Sequence, residues 1–333
     1  AWRLGDCDRA AEAFQRSAAV STNPNLTAAA HYWASRALIR CRFPEKSDEQ
    51  LRGAARFPET LYGMLAHEQL GRELPETHAQ PDLTEADWRR LRDEDAVQQA
   101  VMLAEIGRRD EAADDLVWLV RTGDPDDYPA LSRLARALGL TGAQTFMAYN
   151  APRGEGAHPS LRYPVTFRTP VGGWRVDPAL AFAHALQESN FRERVVSPAG
   201  AIGLMQIMPI TQREYAASIN MSSNADLKDP AVNLAFGQRT LESLSTAGYT
   251  QGRLPKIMAA YNAGPSPVAR WESEIRDAGD PLLYMESIPY WETRGYVAVV
   301  MRNYWMYLRQ ADAPAPSRID LAENDWPQFP KVR

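Results

Sequence analysis

The positions of hydrophobic and polar residues predict a chain that is helical along most of its length. From residue 1 to about residue 150, Ala, Leu, Arg and Glu dominate and runs of β-branched residues are few, which favours helices over strands. In the second half, Asp177-Pro178 and Asp229-Pro230 each place a capping side chain before a proline, and Leu254-Pro255 has the proline alone. Because proline is favoured at the first position of a helix, these pairs mark helix starts. The predicted helices of this half are residues 178–189, 230–246, 255–263 and about 291–308.

A short segment recurs loosely in the first half. Leu4–Ala11 (LGDCDRAA) returns as Ile106–Ala113 (IGRRDEAA), and Leu138–Ala143 (LGLTGA) is a weaker third copy. The first two copies lie 102 residues apart, which is three times the period of about 34 residues found in tetratricopeptide-type helix pairs. Glycine supplies the left-handed conformation that ends one helix, and the small alanines let the next helix pack closely. The repeat therefore predicts an α-solenoid, with an irregular helical bundle as the alternative.

Changes of composition indicate where domains end. Residues 151–159 are rich in proline and glycine, and we place the main domain boundary there. Residues 163–170 are typical of an extended segment that leads into the second half. Residues 311–333 contain four prolines and mixed charges, and they are predicted to form a tail that either lies over the surface or is loose.

Composition and charge narrow the class of protein. Of the 333 residues, 45% are hydrophobic and 24% are charged, which is ordinary for a soluble globular protein. The net charge of -5 and the lack of a long Lys/Arg run argue against nucleic acid as a partner. No stretch approaches about eighteen consecutive apolar residues, so we expect neither a membrane span nor a signal peptide within this sequence. Its first six residues resemble the end of a helix already under way, and we expect that upstream residues have been removed.

The two cysteines allow two interpretations. Cys7 and Cys41 lie 34 residues apart in what are predicted to be neighbouring helical units. In an oxidising compartment they can form one disulfide bond, whereas two buried thiols fit the sequence about equally well. A metal site built from these two residues alone is not expected.

The candidate chemistry lies at the end of the first helix of the second half. Glu188 is next to the last residue of that helix, where the negative end of the helix dipole and burial both favour a protonated carboxyl group. A carboxyl group that keeps its proton near neutrality can act as a general acid. The segment that follows is turn-rich over residues 197–203 and then apolar at Leu204, Ile207 and Met208, as needed to cover a pocket. Without that segment, Glu188 would be better interpreted as a solvated residue at a helix end.

Four motifs of this half, taken together, resemble one family of enzymes. They are Glu188-Ser189, Gly203–Gln206 (GLMQ), Ala260–Pro265 (AYNAGP) and Ile288–Val297 (IPYWETRGYV). In this order and spacing they resemble the family 1 lytic transglycosylases of bacterial cell-wall turnover, with the soluble type as the nearest match. The resemblance covers about residues 160–310. It implies a lysozyme-like α catalytic domain that follows a helical superhelix and a helical linker.

The resemblance also implies a domain organisation. Residues 1–75 would be the C-terminal part of the superhelix, residues 76–150 the linker domain, residues 151–312 the transglycosylase domain, and residues 313–333 the tail. The expected fold class is mainly α, with an α-solenoid segment followed by a lysozyme-like α domain. The family further implies a periplasmic location, peptidoglycan glycan strands as the substrate, and cell-wall synthesis or divisome partners for the helical segment.

By the same resemblance, Glu188 is the only catalytic acid and base. It would first protonate the glycosidic oxygen between N-acetylmuramic acid and N-acetylglucosamine, and then accept the proton of the muramyl C6 hydroxyl. The muramyl ring would close on itself and leave a 1,6-anhydro end. Because the attacking oxygen belongs to the substrate, one carboxyl group suffices, whereas hydrolytic glycosidases normally need two. The absence of an acidic residue from Val195 to Arg213 agrees with this interpretation.

Three residues near Glu188 are expected to bind substrate because they match family positions. Ser197 and Gln206 would hydrogen-bond the substrate, at its N-acetyl group, and Met208 would line the same pocket. The alternatives are structural roles: a turn-forming residue, a polar residue at a helix start and a core side chain.

Further binding residues are carried over from the third and fourth motifs. Tyr261 would place its hydroxyl near the catalytic carboxyl group or the sugar, with core packing as the alternative. Asn262 would shape the helix end beside it. Glu292 matches a glutamate of the substrate groove, with Glu286 as its rival, and Tyr296 matches a tyrosine of the fourth motif.

Other chemistries find less support in the sequence. His184 and Glu188 are four residues apart, a spacing that can ligate a metal, but there is no third ligand and no His-Glu-x-x-His motif. No glycine-rich phosphate loop follows a strand-like run, so we expect neither a metal nor a cofactor. Three alternatives remain. A goose-type lysozyme shares the fold and the glutamate but hydrolyses the bond, a metal-dependent hydrolase would need ligands that the sequence does not offer, and a catalytically inert scaffold would only bind peptidoglycan.

Overall fold

The computed structural model describes residues 1–75, 81–153, 157–165 and 168–330. Parts of the predicted segments lie outside these residues. They are residues 154–156 of the domain boundary, residues 166–167 of the extended segment, residues 331–333 of the tail, and residues 76–80 at the predicted start of the linker domain.

The described residues are helical, with isolated β-bridges but no β-strand. The mainly α fold class predicted from the sequence is therefore confirmed. No helix in the described part of the chain is both long enough and apolar enough to cross a membrane. In chain order the α-helices are α1 (Cys7–Val20), α2 (Pro24–Arg40), α3 (Pro44–Ala55), α4 (Leu61–Gln69), α5 (Glu85–Leu91), α6 (Asp95–Glu105), α7 (Arg109–Thr122), α8 (Tyr128–Ala137), α9 (Thr141–Tyr149), α10 (Pro178–Ser189), α11 (Pro209–Tyr215), α12 (Pro230–Ser245), α13 (Leu254–Ala263), α14 (Pro265–Glu274), α15 (Pro281–Ser287), α16 (Trp291–Gln310) and α17 (Pro316–Ala322).

The helix starts predicted in the second half are confirmed. Helices α10, α12, α13 and α16 begin within one residue of the predicted positions. The carboxylate of Asp177 accepts a hydrogen bond from the N–H of Ala179 at 2.9 Å, and that of Asp229 accepts one from Ala231 at 2.8 Å. These bonds satisfy N–H groups that have no partner within the helix, which is why an acid before the first proline is a reliable start signal.

The described chain divides into two compact units. The first unit comprises Ala1–Glu76 and Ser245–Phe329. Within it, α1 packs on α2, α2 packs on α3, and both α2 and α3 pack on α4. Helix α13 packs on α14 and α16, and α4 also packs on α16 and α17. Large aromatic side chains fill its interior, among them Tyr32, Trp271 and Trp305.

The second unit comprises Thr77–Leu244 and Pro330–Arg333. Helix α6 packs on α7, helices α7, α8 and α9 pack on one another, and α5 packs on α8. Buried leucines, including Leu116, Leu134 and Leu140, form the core between these helices. Helices α10, α11 and nearly all of α12 also belong to this unit. The first motif lies at the end of α10, and the second lies between α10 and α11.

The glycines of the repeat have the conformation that the sequence predicts. Gly5, Gly107 and Gly139 have φ angles of 76°, 81° and 66°, in the left-handed region that glycine adopts without steric cost. Each of them follows the end of a helix, so the prediction that these glycines end a helix in the left-handed conformation is confirmed. The solenoid and the domain limits stay predictions.

Cys7 and Cys41 form a disulfide bond, with their Cα atoms 5.6 Å apart. Cys7 is the first residue of α1, and Cys41 follows the last residue of α2. Of the two interpretations of these cysteines, the disulfide is therefore the one observed.

The predicted tail contains a helix that the sequence analysis missed. Helix α17 buries Leu321 completely, and Ser317 accepts a hydrogen bond from Nε1 of Trp305 at 2.9 Å. Arg318 forms an ion pair with Glu68 of α4 at 2.8 Å. Because Pro316 stands in the first turn, where it costs no hydrogen bond, a proline-rich composition did not exclude a helix here.

Candidate active site

Glu188 lies half-buried in the last turn of α10, a helix whose other residues are mostly buried. Its neighbour Ser189 is buried and donates a hydrogen bond to the carbonyl oxygen of Leu204 at 2.8 Å. The same hydroxyl lies 3.1 Å from the carbonyl oxygen of Ala185. The first two motifs are thus joined directly, because Ser189 ties the end of the glutamate-bearing helix to the GLMQ segment.

The chain turns sharply after Glu188. Asn190 and Phe191 both have left-handed backbones, with φ angles of 51° and 59°. Such conformations are strained for residues other than glycine and persist only where the surroundings enforce them. Phe191 is 1% exposed, and its ring packs against Phe182 with the centroids 6.1 Å apart. Burial of this ring therefore helps to fix the direction in which the chain leaves α10.

Residues 195–207 form a compact loop with its own hydrogen bonds. Ile202 and Ile207 exchange two backbone hydrogen bonds of 3.0 and 2.9 Å, and the N–H of Gly203 donates to the carbonyl oxygen of Val195 at 2.9 Å. The hydroxyl oxygen of Ser197 accepts a hydrogen bond from the N–H of Ala201 at 3.0 Å. Ser197 thus has the turn-forming contact that was its structural alternative, and its role in substrate binding stays a prediction.

The glycine of the GLMQ segment is required by close packing. Gly203 has a φ angle of 77°, and a Cβ atom there would lie 2.5 Å from the carbonyl oxygen of Leu227. Gln206 is also left-handed, with a φ angle of 49°, and its amide Nε2 donates to the carbonyl oxygen of Gly203 at 2.8 Å. The side chain assigned to substrate by resemblance therefore also stabilises its own turn. Met208 is half-buried directly before α11.

Two residues of α12 hold this loop, and the sequence analysis did not single them out. Asn233 is completely buried, and its Oδ1 accepts from the N–H of Met205 at 2.8 Å. Its Nδ2 donates to the carbonyl oxygens of Ile202 and Leu227, both at 2.8 Å. Gly237, one turn later, faces Met205 so closely that a Cβ atom would lie 2.1 Å from its sulfur. The signal in the sequence is an asparagine and a glycine four residues apart, and therefore on one face of a predicted helix.

The other candidate residues belong to the first unit, where two motifs meet. Thr293, near the start of α16, donates a hydrogen bond to Oδ1 of Asn262 at the end of α13, at 2.6 Å. Tyr261 is half-buried and Glu292 is exposed, whereas Tyr296 is only 4% exposed and contributes to the core. The structure thus joins the third and fourth motifs to each other, as it joins the first two.

Glu286, the rival of Glu292, is held inside the first unit. Its Oε1 accepts a hydrogen bond from the Tyr62 hydroxyl at 2.5 Å, and that hydroxyl accepts one from Nε1 of Trp33 at 3.0 Å. Burial raises the pKa of Tyr62 well above its usual value, and the Glu286 carboxylate adds to that effect. Tyr62 therefore stays a donor to Glu286 at any physiological pH. Of the two glutamates, Glu292 is the more exposed.

His184, one turn before Glu188, is completely enclosed. Burial lowers the pKa of its imidazole to about 3, so the ring is uncharged at neutral pH. Among the described residues, one group of three potential metal ligands comes together, namely Cys7, Asp8 and Cys41. The disulfide bond removes both thiolates from that group.

Comparison with known proteins identifies the class of domain that carries this geometry. Residues 167–282 match the family described as "Transglycosylase SLT domain". These residues are therefore similar to transglycosylase SLT domains.

The chain is similar to soluble lytic transglycosylases in sequence and in fold. It is 36% identical over 168 residues to the soluble lytic murein transglycosylase of Escherichia coli K12, a match that covers 49% of this chain and 25% of that protein. The structure of lytic transglycosylase Slt from Pseudomonas aeruginosa, an inactive Glu-to-Gln mutant, superposes with a TM-score of 0.73 at 25% identity. The 70 kDa soluble lytic transglycosylase of Escherichia coli superposes with a TM-score of 0.76 at 23% identity, which shows a shared fold.

The extent of these matches differs between sequence and structure. Both structural superpositions cover 98% of this chain and 52% of the other. The sequence match covers a quarter of the curated relative. The fold similarity thus reaches nearly the whole chain, well beyond the domain that the sequence family defines.

Proposed function

We propose that this chain is a peptidoglycan lytic transglycosylase that cleaves the β-1,4 bond between N-acetylmuramic acid and N-acetylglucosamine. The observation that carries the proposal is the anchoring of Glu188, whose neighbour Ser189 bonds to Leu204 of the GLMQ loop at 2.8 Å. This contact joins the end of the helix that carries Glu188 to a segment that contains no acidic residue from Val195 to Arg213. The relative from Pseudomonas aeruginosa is inactive as a single Glu-to-Gln mutant, which supports one essential glutamate.

In the proposed reaction, Glu188 acts first as an acid and then as a base. Its carboxyl proton moves to the glycosidic oxygen as the bond to muramyl C1 breaks, which releases the N-acetylglucosamine end as an alcohol. The carboxylate then accepts the proton of the muramyl C6 hydroxyl while that oxygen bonds to C1. Glu188 regains its proton, no water is consumed, and the product carries a 1,6-anhydro ring.

The neighbouring residues have positioning and binding roles in this proposal. Ser197 and Gln206 would contact the sugar from the loop of residues 195–207, and Met208 would contact it from the residue that follows the loop. Their backbone is fixed by the loop's own hydrogen bonds, so the polar groups are in place before substrate arrives. Tyr261, Asn262, Glu292 and Tyr296 would contribute from the third and fourth motifs.

The disulfide bond supports a location outside the reducing cytoplasm. Bonds such as Cys7–Cys41 form and persist in compartments such as the periplasm. We therefore propose a periplasmic location, with glycan strands of the cell wall as the substrate. Partners in cell-wall synthesis or the divisome, bound through the helical segment, stay a prediction.

The products of digestion test the reaction type. Purified sacculi treated with the protein should yield anhydro-muropeptides, which are lighter by one water than the corresponding reducing ends. Finding only reducing ends would identify a lysozyme and contradict the proposal. Finding no soluble products, with binding to sacculi retained, would favour the inert scaffold.

A single substitution tests the assignment of the acid and base. Glu188→Gln keeps the size of the side chain but cannot transfer a proton, so we expect turnover to fall by about three orders of magnitude, with binding retained. Glu214→Gln is the matched control, because Glu214 is exposed on α11 of the same unit. Activity that survives Glu188→Gln would show that another group is the acid.

A further inference from the structure

A carboxylate from α7 contacts the turn that follows Glu188. Asp110 is the second residue of α7, 78 residues before Glu188 in the sequence. Its Oδ1 accepts from the N–H of Glu193 at 3.4 Å, and its Oδ2 accepts from the N–H of Arg194 at 3.2 Å. Both carboxylate oxygens are thus directed at consecutive backbone groups between α10 and the loop of residues 195–207.

This turn needs support from outside because its own conformation is strained. Asn190 and Phe191 are consecutive left-handed residues, and neither is glycine. The N–H groups of Glu193 and Arg194 come directly after them, and the Asp110 carboxylate is the acceptor for both. The next residue, Val195, then accepts from Gly203 at 2.9 Å and begins the loop. The position of Asp110 therefore constrains the chain on the path from the catalytic carboxyl group to its binding loop.

The surroundings of the contact raise the pKa of the Asp110 carboxyl group, with burial as the largest cause. Burial raises the pKa of Asp110, and its two backbone bonds oppose that effect. Of the charged groups nearby, Asp114 also raises the pKa and Arg194 lowers it. Glu193 is half-buried, and its pKa is raised mainly by burial, with Arg168 in opposition at 3.9 Å. Arg109 also lowers the pKa of Glu193, whereas Asp110 and Asp229 raise it.

Asp110 lies in the second copy of the repeat of the first half, at a position where the first copy also has an aspartate. Asp110 occupies the same position in its copy as Asp8 does in the first copy, where the side chain is exposed. The turn chemistry of the repeat thus supplies an aspartate, and in the second copy that aspartate meets the turn after α10.

We propose that Asp110 is a positioning residue for the glycosidic cleavage, acting through the backbone of Glu193 and Arg194 on Glu188 and on the loop of residues 195–207. This inference rests on the proposed function of Glu188. Asp110 does not touch substrate in this proposal. It holds the turn so that the carboxyl group and the sugar-binding loop keep a fixed mutual position, which matters because small misplacements of catalytic groups cost large factors in rate.

Two substitutions test the contact, with one control. Asp110→Ala removes both acceptors, and we expect kcat to fall about 10- to 100-fold with KM changed less than about twofold. Asp110→Asn keeps one acceptor oxygen, so its kcat should lie between those of Asp110→Ala and the unchanged protein. Asp114→Ala removes an exposed carboxylate one turn further along the same helix and should leave kcat unchanged.

A second readout does not depend on activity. Hydrogen exchange at the amides of Glu193 and Arg194 should be at least about tenfold faster in Asp110→Ala than in Asp114→Ala, because only the first variant frees those groups. Unchanged exchange, or unchanged kcat with faster exchange, would overturn the inference. If Asp110→Ala does not fold, Asp110→Asn decides the question by the same two measurements. If the unchanged protein forms no anhydro product, the proposed function fails, and the exchange rates still show whether Asp110 holds the turn.

Discussion

At the scale of single residues, one buried amide organises the loop that Ser189 joins to the end of α10. Asn233 accepts one hydrogen bond from this segment, at Met205, and donates another to Ile202; its third bond reaches Leu227. A single side chain therefore links two backbone groups of the loop to the backbone of Leu227, in addition to the hydrogen bonds within the loop. A buried amide in this role stabilises the fold and fixes the geometry of the site at the same time.

Removal of this amide should cost both stability and activity. Asn233→Ala removes three buried hydrogen bonds to the backbone, at Met205, Ile202 and Leu227, so we expect a loss of about 2–4 kcal/mol in the free energy of unfolding. Because the loop loses its fixed position, kcat of the folded fraction should also fall. Denaturant titration and assays well below the transition measure the two effects separately.

Gln238 on the same helix offers a matched control for Asn233. It is also completely buried, but it accepts from the N–H of Arg175 and donates to the carbonyl oxygen of Gly173, away from the GLMQ loop. We expect Gln238→Ala to destabilise the protein with little change in kcat. Equal losses of kcat in the two variants would show that Asn233 acts only through global stability.

At the scale of elements, local signals predicted helix starts well and tertiary contacts poorly. The starts of α10 and α12 follow from an acid and a proline that are adjacent in the sequence. Helix α14, which begins at Pro265, and helix α17, in the proline-rich tail, were not predicted, although proline suits the first turn of a helix. The spacing of Asn233 and Gly237 marks one face of a helix, but it does not show that this face contacts Met205, 28 residues before Asn233. The four motifs predicted the candidate site, but not the side chains that hold it.

The contact between α12 and the GLMQ loop predicts the effect of one added methyl group. In Gly237→Ala, the new Cβ would lie 2.1 Å from the sulfur of Met205, so the loop or the helix must shift. The gain in helix propensity, about 1 kcal/mol, should be outweighed by overpacking of about 1–3 kcal/mol. We therefore expect a lower free energy of unfolding together with lower activity.

Gly295 in α16 is the control for this substitution. It is also inside a helix, but nothing lies within 4 Å of the position that its Cβ would take. Gly295→Ala should therefore raise the free energy of unfolding by about 0.5–1 kcal/mol. If Gly237→Ala were equally stabilising, the close packing of α12 against Met205 would not hold in solution.

At the scale of the whole molecule, the first unit is built from both ends of the described chain. Its helices α1–α4 come from the first 76 residues, whereas α13–α17 lie beyond Ser245. The ion pair between Arg318 and Glu68 joins segments that are 250 residues apart in the sequence. The third and fourth motifs therefore lie in a unit that the N-terminal helices help to form.

The disulfide bond cross-links the start of α1 to the end of α2 in that unit, and its loss should destabilise the unit. A bond that closes a separation of 34 residues is expected to stabilise the folded state by about 3–4 kcal/mol, because it restricts the unfolded chain. Reduction should lower the denaturation midpoint and speed hydrogen exchange in α1 and α2, with little change in α10. The double variant Cys7→Ser/Cys41→Ser should have the same denaturation midpoint as the reduced protein, and addition of reductant should not change that midpoint. Equal midpoints for the oxidised and reduced forms would contradict this expectation, and would mean that packing of α1 on α2 alone holds the start of the first unit.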